Sequence, residues 1–340
     1  MAAPPPSDSA RDPRRRQAVS ALASALALAA APRSSRAGSA ETPWPDRPVR
    51  LVCAGSPGSS PDVAARLYAD RLAARWGRPV LVDSRPGADG TLAIQHLLAQ
   101  RDGQHALLFT FVAALTVSPL LHDKLPFDPA GDLAPISSGA GDFAVVAAAP
   151  ALPVSGLGDL VDLARRRPGA LNWASGSGDI YMAFLGLVRS RGLDMNYVSY
   201  RAPAPALGDL AEGRIDAAAM PLALALPQAN AGRLRVLAVA NPARSPALPA
   251  VPTAAEAGFP ELTFEATLGF FGPRSMPEAL RERIAADVRA IAAEDDFSAR
   301  LRSLGMSARA ETPAEFAAVV EANRAHWAEA ARAHGAKAER

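Results

Sequence analysis

Short β-branched runs recur along this chain, each closed by a loop of Gly, Ser and Pro and followed by a helical pattern. That alternation narrows the fold more than any other feature. Residues 48–54 (PVRLVCA) read as a strand. Ser60-Pro61-Asp62 then opens a helix, with Ser60 suited to the N-cap, Pro61 to the first helical position and Asp62 to the positive end of the dipole. Val63, Ala64, Leu67, Tyr68, Leu72 and Trp76 share one face, and Gly77 with Pro79 ends the helix. A strand at 79–83, a helix at 91–101, a turn at Asp102-Gly103 and a strand at 105–110 complete a βαβαβ unit. Such a unit predicts a parallel sheet with right-handed crossovers.

The alternation then restarts. Strands are predicted at 143–149, 171–174, 195–200, 215–220 and 234–240. Helices are predicted from Ser155 as cap to 167, and at 179–191, 203–212 and about 224–231. Residues 241–262, rich in Pro and Ala, read as a crossing segment, followed by a strand at 262–271 and helices at 277–294 and 296–304. Thr312-Pro313-Ala314-Glu315 is a capping box that starts a last long helix. A chain of 340 residues suits two such α/β domains. The expected division is 43–142, then 143–262, with 263–340 returning to the first domain.

Arg14, Arg15 and Arg16 precede fifteen largely apolar residues, 17–31, and then small polar residues through Ala40. A membrane span needs about 20 apolar residues, so residues 1–40 read as a cleavable export signal. Gly38-Ser39-Ala40 offers a cleavage site. The arginines leave Sec and twin-arginine export both open. The expected location is the periplasm, with no stable membrane insertion after cleavage. The leader also corrects the charge. The whole chain is +2 and residues 1–40 are +4, which leaves the folded part at −2. A nucleic-acid partner needs a basic footprint there, and none is expected.

The single cysteine, Cys53, excludes a disulfide framework and a thiolate metal site, and its apolar strand predicts a buried small hydrophobe. Neither lysine, Lys124 or Lys337, lies in a phosphate-binding loop. Gly176-Ser177-Gly178 has Tyr181 where a dinucleotide fingerprint needs its third glycine. The histidines lack metal-ligand spacing, and no serine has the nucleophile-elbow context. Neither a cofactor nor a metal nor a catalytic residue is expected.

Gly/Ser/Pro-rich loops remain: 54–60, 84–90 and 175–179. In parallel α/β sheets, loops at strand C-termini carry the ligand, and helix N-termini offer free N–H groups to anions.

Several stretches carry a family resemblance: WPDRPVRLV at 44–52, the Pro57-Gly58…Asp62 loop, SRPGA at 84–88, LPFDP…DLAP between 125 and 135, APAL…DL…G…D between 204 and 216, and RSPALPAVPTAAEAG at 244–258. They resemble the Bug-type receptors of tripartite tricarboxylate transporters, in register over essentially the whole mature chain. The resemblance implies a two-domain Venus-flytrap fold with parallel-rich sheets and flanking helices. It also implies capture of a small, usually carboxylated solute by a monomer and delivery to a membrane permease. It places the ligand at Ser56, Pro57, Gly58, Ser59, Ser60 and Asp62, at Gly87, Ala88, Asp89 and Gly90, and at Thr110 and Phe111. In the other domain it places it at Ser175, Ser177, Gly178 and Asp179, and at Tyr200, Arg201, Ala202 and Met220.

This chain departs from the family pattern at Ser59, Asp89, Asp179, Arg201-Ala202 and Met220-Pro221. Two acids stand where anions are usually received. The expected ligand is therefore neutral, zwitterionic, or a single carboxylate with an amine or hydroxyl donor, with Met220 against an apolar body. Other functions open to such a scaffold are a ligand-presenting subunit of a membrane sensor and an exported hydrolase or transferase with a non-motif active site. A transcription-regulator effector domain would need a helix-turn-helix, which is not apparent.

Overall fold

Eleven strands and eleven helices are assigned in a computed structural model describing residues 1–3, 44–100, 104–122, 124–176, 178–200 and 203–334. The export signal, Ser177, Arg201, Ala202 and the Asp102-Gly103 turn lie outside the described residues. All elements below belong to the unit Pro45–Arg340.

The first run of elements is β1 (Val49–Cys53), α1 (Ser60–Trp76), β2 (Val80–Ser84), a 3-10 turn (Ala88–Gly90), α2 (Thr91–Leu98) and β3 (Ala106–Phe111). Two four-residue helices, α3 (Ala113–Thr116) and α4 (Ser118–Leu121), lead to β4 (Leu133–Asp142). The second run is β5 (Ala144–Ala148), α5 (Leu157–Arg166), β6 (Leu171–Ser175), α6 (Asp179–Ser190) and β7 (Met195–Tyr197). It continues with α7 (Pro203–Ala211), β8 (Ala217–Pro221), α8 (Leu222–Asn230) and β9 (Arg235–Val239). The chain ends with β10 (Ala266–Pro273), α9 (Glu278–Ala292), α10 (Asp295–Ser303), β11 (Met306–Ala308) and α11 (Pro313–His334).

Two sheets result, ordered β11-β4-β10-β3-β1-β2 and β7-β6-β8-β5-β9. Strands β2, β1 and β3 are parallel, and so are β7, β6 and β8. Strand β10 is antiparallel to β3 and β4, and β5 is antiparallel to β8 and β9. The fold is α/β with parallel-rich sheets and flanking helices.

Strand β4 has no strand-like sequence. After Ile136 its SSGAGD run lacks the β-branched residues that favour extended chain. Pairing makes it a strand, with β10 on one side and β11 on the other. Its small residues fit an aromatic cluster in which Tyr68 lies 5.1 Å from Phe270 and 4.6 Å from Phe297, centroid to centroid. The Tyr68 hydroxyl donates to the Gly139 carbonyl at 2.6 Å. A Cβ on Gly139 would stand 2.7 Å from Phe109 Cε2.

Helix ends shift slightly from expectation. Ser59, not Ser60, is the N-cap of α1. Helix α5 starts at Leu157 with Gly156 as its cap, while Ser155 donates both its N–H and its hydroxyl to Asp159. The capping box of α11 forms, with the Thr312 N–H donating to Glu315 Oε2 at 2.9 Å and the Glu315 N–H to Thr312 Oγ1 at 3.3 Å.

The chain crosses between the sheets at Asp142-Phe143-Ala144 and returns through residues 240–265. Asn241 clasps the two crossings: its Oδ1 accepts from the Ala144 N–H at 3.0 Å and its Nδ2 donates to the Asp142 carbonyl at 3.0 Å. Helix α11 reaches both sheets. Phe316 packs on Phe271 of β10, and Trp327 packs edge-on against Phe264 in the second core.

Candidate functional site at the seam between the sheets

The loops at the strand C-termini of both sheets meet at the crossing. Ser60, the first residue of α1, donates its hydroxyl to Asp142 Oδ2 at 2.5 Å. Asp142 in turn acts electrostatically on Asp179, the first residue of α6. Asp142 thus ties the start of α1 to the crossing, with the start of α6 within electrostatic reach. The seam is tight beside it, since a Cβ on Gly178 would be 3.3 Å from the Ala113 Cβ.

Both carboxyls are buried. Burial pushes Asp142 up to about 7, against the lowering effect of Ser60 and the Phe143 N–H. Burial likewise pushes Asp179 up to about 7, opposed by the N–H groups of Ile180 and Asp179 and reinforced by Asp142. The Ile180 N–H donates to Asp179 Oδ1 at 2.9 Å, so the aspartate occupies a helix-terminal donor. Asp142 Oδ1 is buried without a hydrogen-bond partner. The sequence reading missed Asp142. Its only signal was an acid closing an otherwise uncharged run, directly before an apolar strand.

The first glycine-rich loop leaves Ser56, Pro57 and Gly58 exposed and Ser59 half-buried. Ser59 donates its hydroxyl to the Ser56 carbonyl at 2.7 Å. Asp62, expected beside the ligand, is instead turned inward. Its oxygens accept from Arg66 Nε and Nη2, both at 2.9 Å, from the Gly58 N–H at 3.0 Å and from Ser84 Oγ at 2.7 Å. Burial alone would raise its pKa, but these donors, Arg66 foremost, hold it below the usual carboxylate range. Asp62 ties the loop after β1 to the end of β2, and its carboxylate is fully committed there.

In the second loop, Gly87 and Ala88 are exposed, Gly90 is buried and Asp89 lies between. Ala88 and Asp89 both hold positive φ, at 46° and 54°. Asp89 Oδ2 is 3.1 Å from His122 Nε2. One of the two acids expected where anions are received is thus engaged by His122, at the end of α4. Gly90 nests on the end of β3 and on α3, where a Cβ would stand 3.2 Å from Thr110 Oγ1 and 3.0 Å from the Ala114 Cβ. Thr110 is buried, and Phe111 is half-buried and packs toward the second core.

In the other half, Ser175 donates to the Gly176 carbonyl. Tyr200 is half-buried, and its hydroxyl donates to Asp209 Oδ2 at 2.5 Å. Burial and that bond push the phenol up to about 12. Met220, expected against a ligand, is buried in β8 within the second core. Strand β8 is buried through Ala217–Met220 between β5 and β6, and the adjacent Pro221 is the partly exposed residue. Cys53 is buried as expected, its thiol pushed up to about 12 by burial. Among the described residues no group of three or more His, Cys, Asp or Glu side chains could hold a metal ion.

Residues 64–335 match the family model described as tripartite tricarboxylate transporter family receptor. Protein BugT of Bordetella pertussis is 34% identical over 242 residues, which is 69% of this chain and 73% of BugT. A Rhodopseudomonas palustris protein solved with adipate superposes with a TM-score of 0.82 at 29% identity, covering 86% of this chain and 99% of that one. MatC from the same organism, solved with bound malate, gives 0.76 at 27% identity, covering 84% and 99%. A family match over most of the chain, a relative at this identity and the same two-sheet architecture agree: the chain belongs to the tripartite tricarboxylate transporter receptor family and is a solute-binding receptor.

Proposed function

We propose that this receptor captures a small organic solute bearing at least one carboxylate at the seam between its two sheets and presents it to a membrane permease, without chemical conversion. The observation that carries this reading is the close approach at the two helix starts: Ser60 of α1 bonds to Asp142 of the crossing strand, and Gly178, just before α6, lies against Ala113. Helix N-termini attract anions, and small residues in the loops let a ligand approach backbone N–H groups. The two similar structures bound to adipate and malate support a carboxylate-bearing ligand. The loops at 56–60, 87–90, 110–111 and 175–179 supply the lining in this reading, with Tyr200 beside them.

The two halves act as domains that close on the solute, 43–142 with 263–340 against 143–262, the crossings clasped by Asn241 serving as the hinge. The receptor works in the periplasm as a monomer after removal of residues 1–40. The arginine-led apolar segment supports export, and no helix among the described residues is long and apolar enough to cross a membrane.

A thermal-shift screen of carboxylates, amino acids and aromatic acids tests the reading. A true ligand at a hundredfold excess over Kd stabilises by about 2.7 kcal/mol, and scattering should show compaction with it bound. Failure of every carboxylate to shift the melting transition would overturn the ligand class. Mass spectrometry of the native periplasmic fraction should find a chain starting near Glu41, and an intact Met1 on soluble cytoplasmic protein would overturn export.

A further inference from the structure

The LPFDP…DLAP stretch between 125 and 135 supplies no residue to the seam, but it walls a cavity of about 110 Å3. Its turn is held from within. Asp132 Oδ2 accepts from the Asp128 N–H at 2.8 Å, and Asp128 Oδ1 accepts from the Ala130 N–H at 3.0 Å. The Asp132 carbonyl accepts from the Arg274 N–H at 2.8 Å. Both acids are thereby engaged by backbone donors, and the last bond fixes Arg274, just past β10, at the cavity.

Helix α11 forms another wall. Ala317, Val320, Glu321 and Arg324 stand at i, i+3, i+4 and i+7, one face of a helix, and all four line the cavity. Leu115 of α3, Leu133 at the start of β4 and Val320 are 2%, 1% and 3% exposed, and they give the cavity an apolar base. Two arginines and one glutamate border that base. Arg324 Nε meets Glu321 Oε2 at 3.4 Å. The Arg274 side chain has no ion pair or hydrogen bond among the described residues. The lining therefore carries one uncommitted positive charge beside an apolar floor, which complements an amphipathic anion. A guanidinium takes a carboxylate in a fork of two N–H donors. An apolar cavity of about 150 Å3 takes benzene, so this one, at about 110 Å3, suits a tail of about four carbons.

We propose that this cavity is a second ligand site, separate from the seam, for a small aliphatic monocarboxylate. The tail rests on Leu115, Leu133 and Val320, and Arg274 and Arg324 take the carboxylate. Glu321 competes with that carboxylate for Arg324 and so weakens binding. The site is built within the first-sheet half and α11, and it does not depend on what the seam binds.

NMR titration of the purified protein, labelled at leucine and valine methyls, tests this with three ligands: 3-methylbutanoate, its uncharged counterpart 3-methylbutan-1-ol, and acetate, which lacks the tail. 3-Methylbutanoate should shift the methyls of Leu115, Leu133 and Val320 saturably with a Kd of about 1 mM or tighter, and both controls should bind there at least about tenfold more weakly. Arg274→Gln and Arg324→Gln should each weaken binding about fivefold or more, and Glu321→Gln should tighten it severalfold. Ala317→Leu, which fills the cavity, should abolish it. The alcohol binding as tightly as the acid, or no saturation at those three residues by about 50 mM acid, would overturn the inference. Shifts confined to methyls elsewhere in the protein would overturn it and leave the receptor reading standing. Affinity unchanged in both arginine variants would overturn it as well. The wild-type comparisons need no variant to fold.

Discussion

Ser60 and Asp142, 82 residues apart, are joined by a 2.5 Å hydrogen bond from the serine hydroxyl to the carboxyl. It ties the start of α1 to the strand that leaves the first sheet, and so couples a loop of the candidate site to the crossing. Ser60→Ala should cost about 1.5–3 kcal/mol at a pH where Asp142 is ionised, and about 0.5–1.5 where it is neutral. Because the bond lowers the Asp142 pKa, its loss should move the carboxyl's midpoint above 7. Urea denaturation at two pH values and carbon-13 carboxyl titration read the two effects, and an unchanged midpoint would contradict the bond.

The raised pKa values of Asp142 and Asp179 make stability fall with pH. An unfolded chain releases these protons near 3.8, whereas the native chain holds them to about 7. Between those values the native state binds more protons, so each rise in pH favours unfolding, and the penalty is complete above 7. Asp142→Asn and Asp179→Asn should therefore each stabilise the protein by up to a few kcal/mol at about pH 8, with the gain gone near pH 4. Melting curves across that range decide it; a gain independent of pH would show that the carboxyls are not held protonated.

Asp62 predicts the opposite pH dependence. Its pKa is held below 3.8, so its stabilisation is present at neutral pH and lost as pH falls through the lowered value. Asp62→Asn should cost about 1–3 kcal/mol at pH 7 and speed hydrogen exchange at residues 56–60. Slow exchange retained there would mean that Asp62 does not hold the loop.

Helix α11 sits on a glycine. A Cβ on Gly269 would stand 2.1 Å from Phe316 Cζ, which no rotamer of a packed ring absorbs. Gly269→Ala should destabilise by about 1–3 kcal/mol through overpacking. Adding Phe316→Leu should recover part of that loss, leaving a coupling of about 1 kcal/mol. Strict additivity of the two variants would mean that they do not share the contact.

The sequence alone set the elements whose signals are local. Short apolar runs bounded by loops marked β1, β3, β5 and β9. Helical apolar spacing marked α1 and α6, Thr312 and Glu315 marked the start of α11, and the glycine-rich loops marked the strand ends. Those patterns, with the quoted motifs, were enough for the fold class and the family. What they could not carry is anything that depends on partners distant in sequence. Strand β4 owes its conformation to β10 and β11, from residues more than 120 positions away. Asp62 reads as a ligand-side carboxylate at a helix start until Ser84, at the end of β2, joins its local donors in holding it inward. Met220 reads as a site residue until the pairing of β8 with β5 commits it to the core. Asp142 is one acid among many in the sequence, and only the tertiary structure buries it against Ser60. Its special chemistry arises there because desolvation and electrostatic coupling are properties of a place in the fold, not of a residue in a chain.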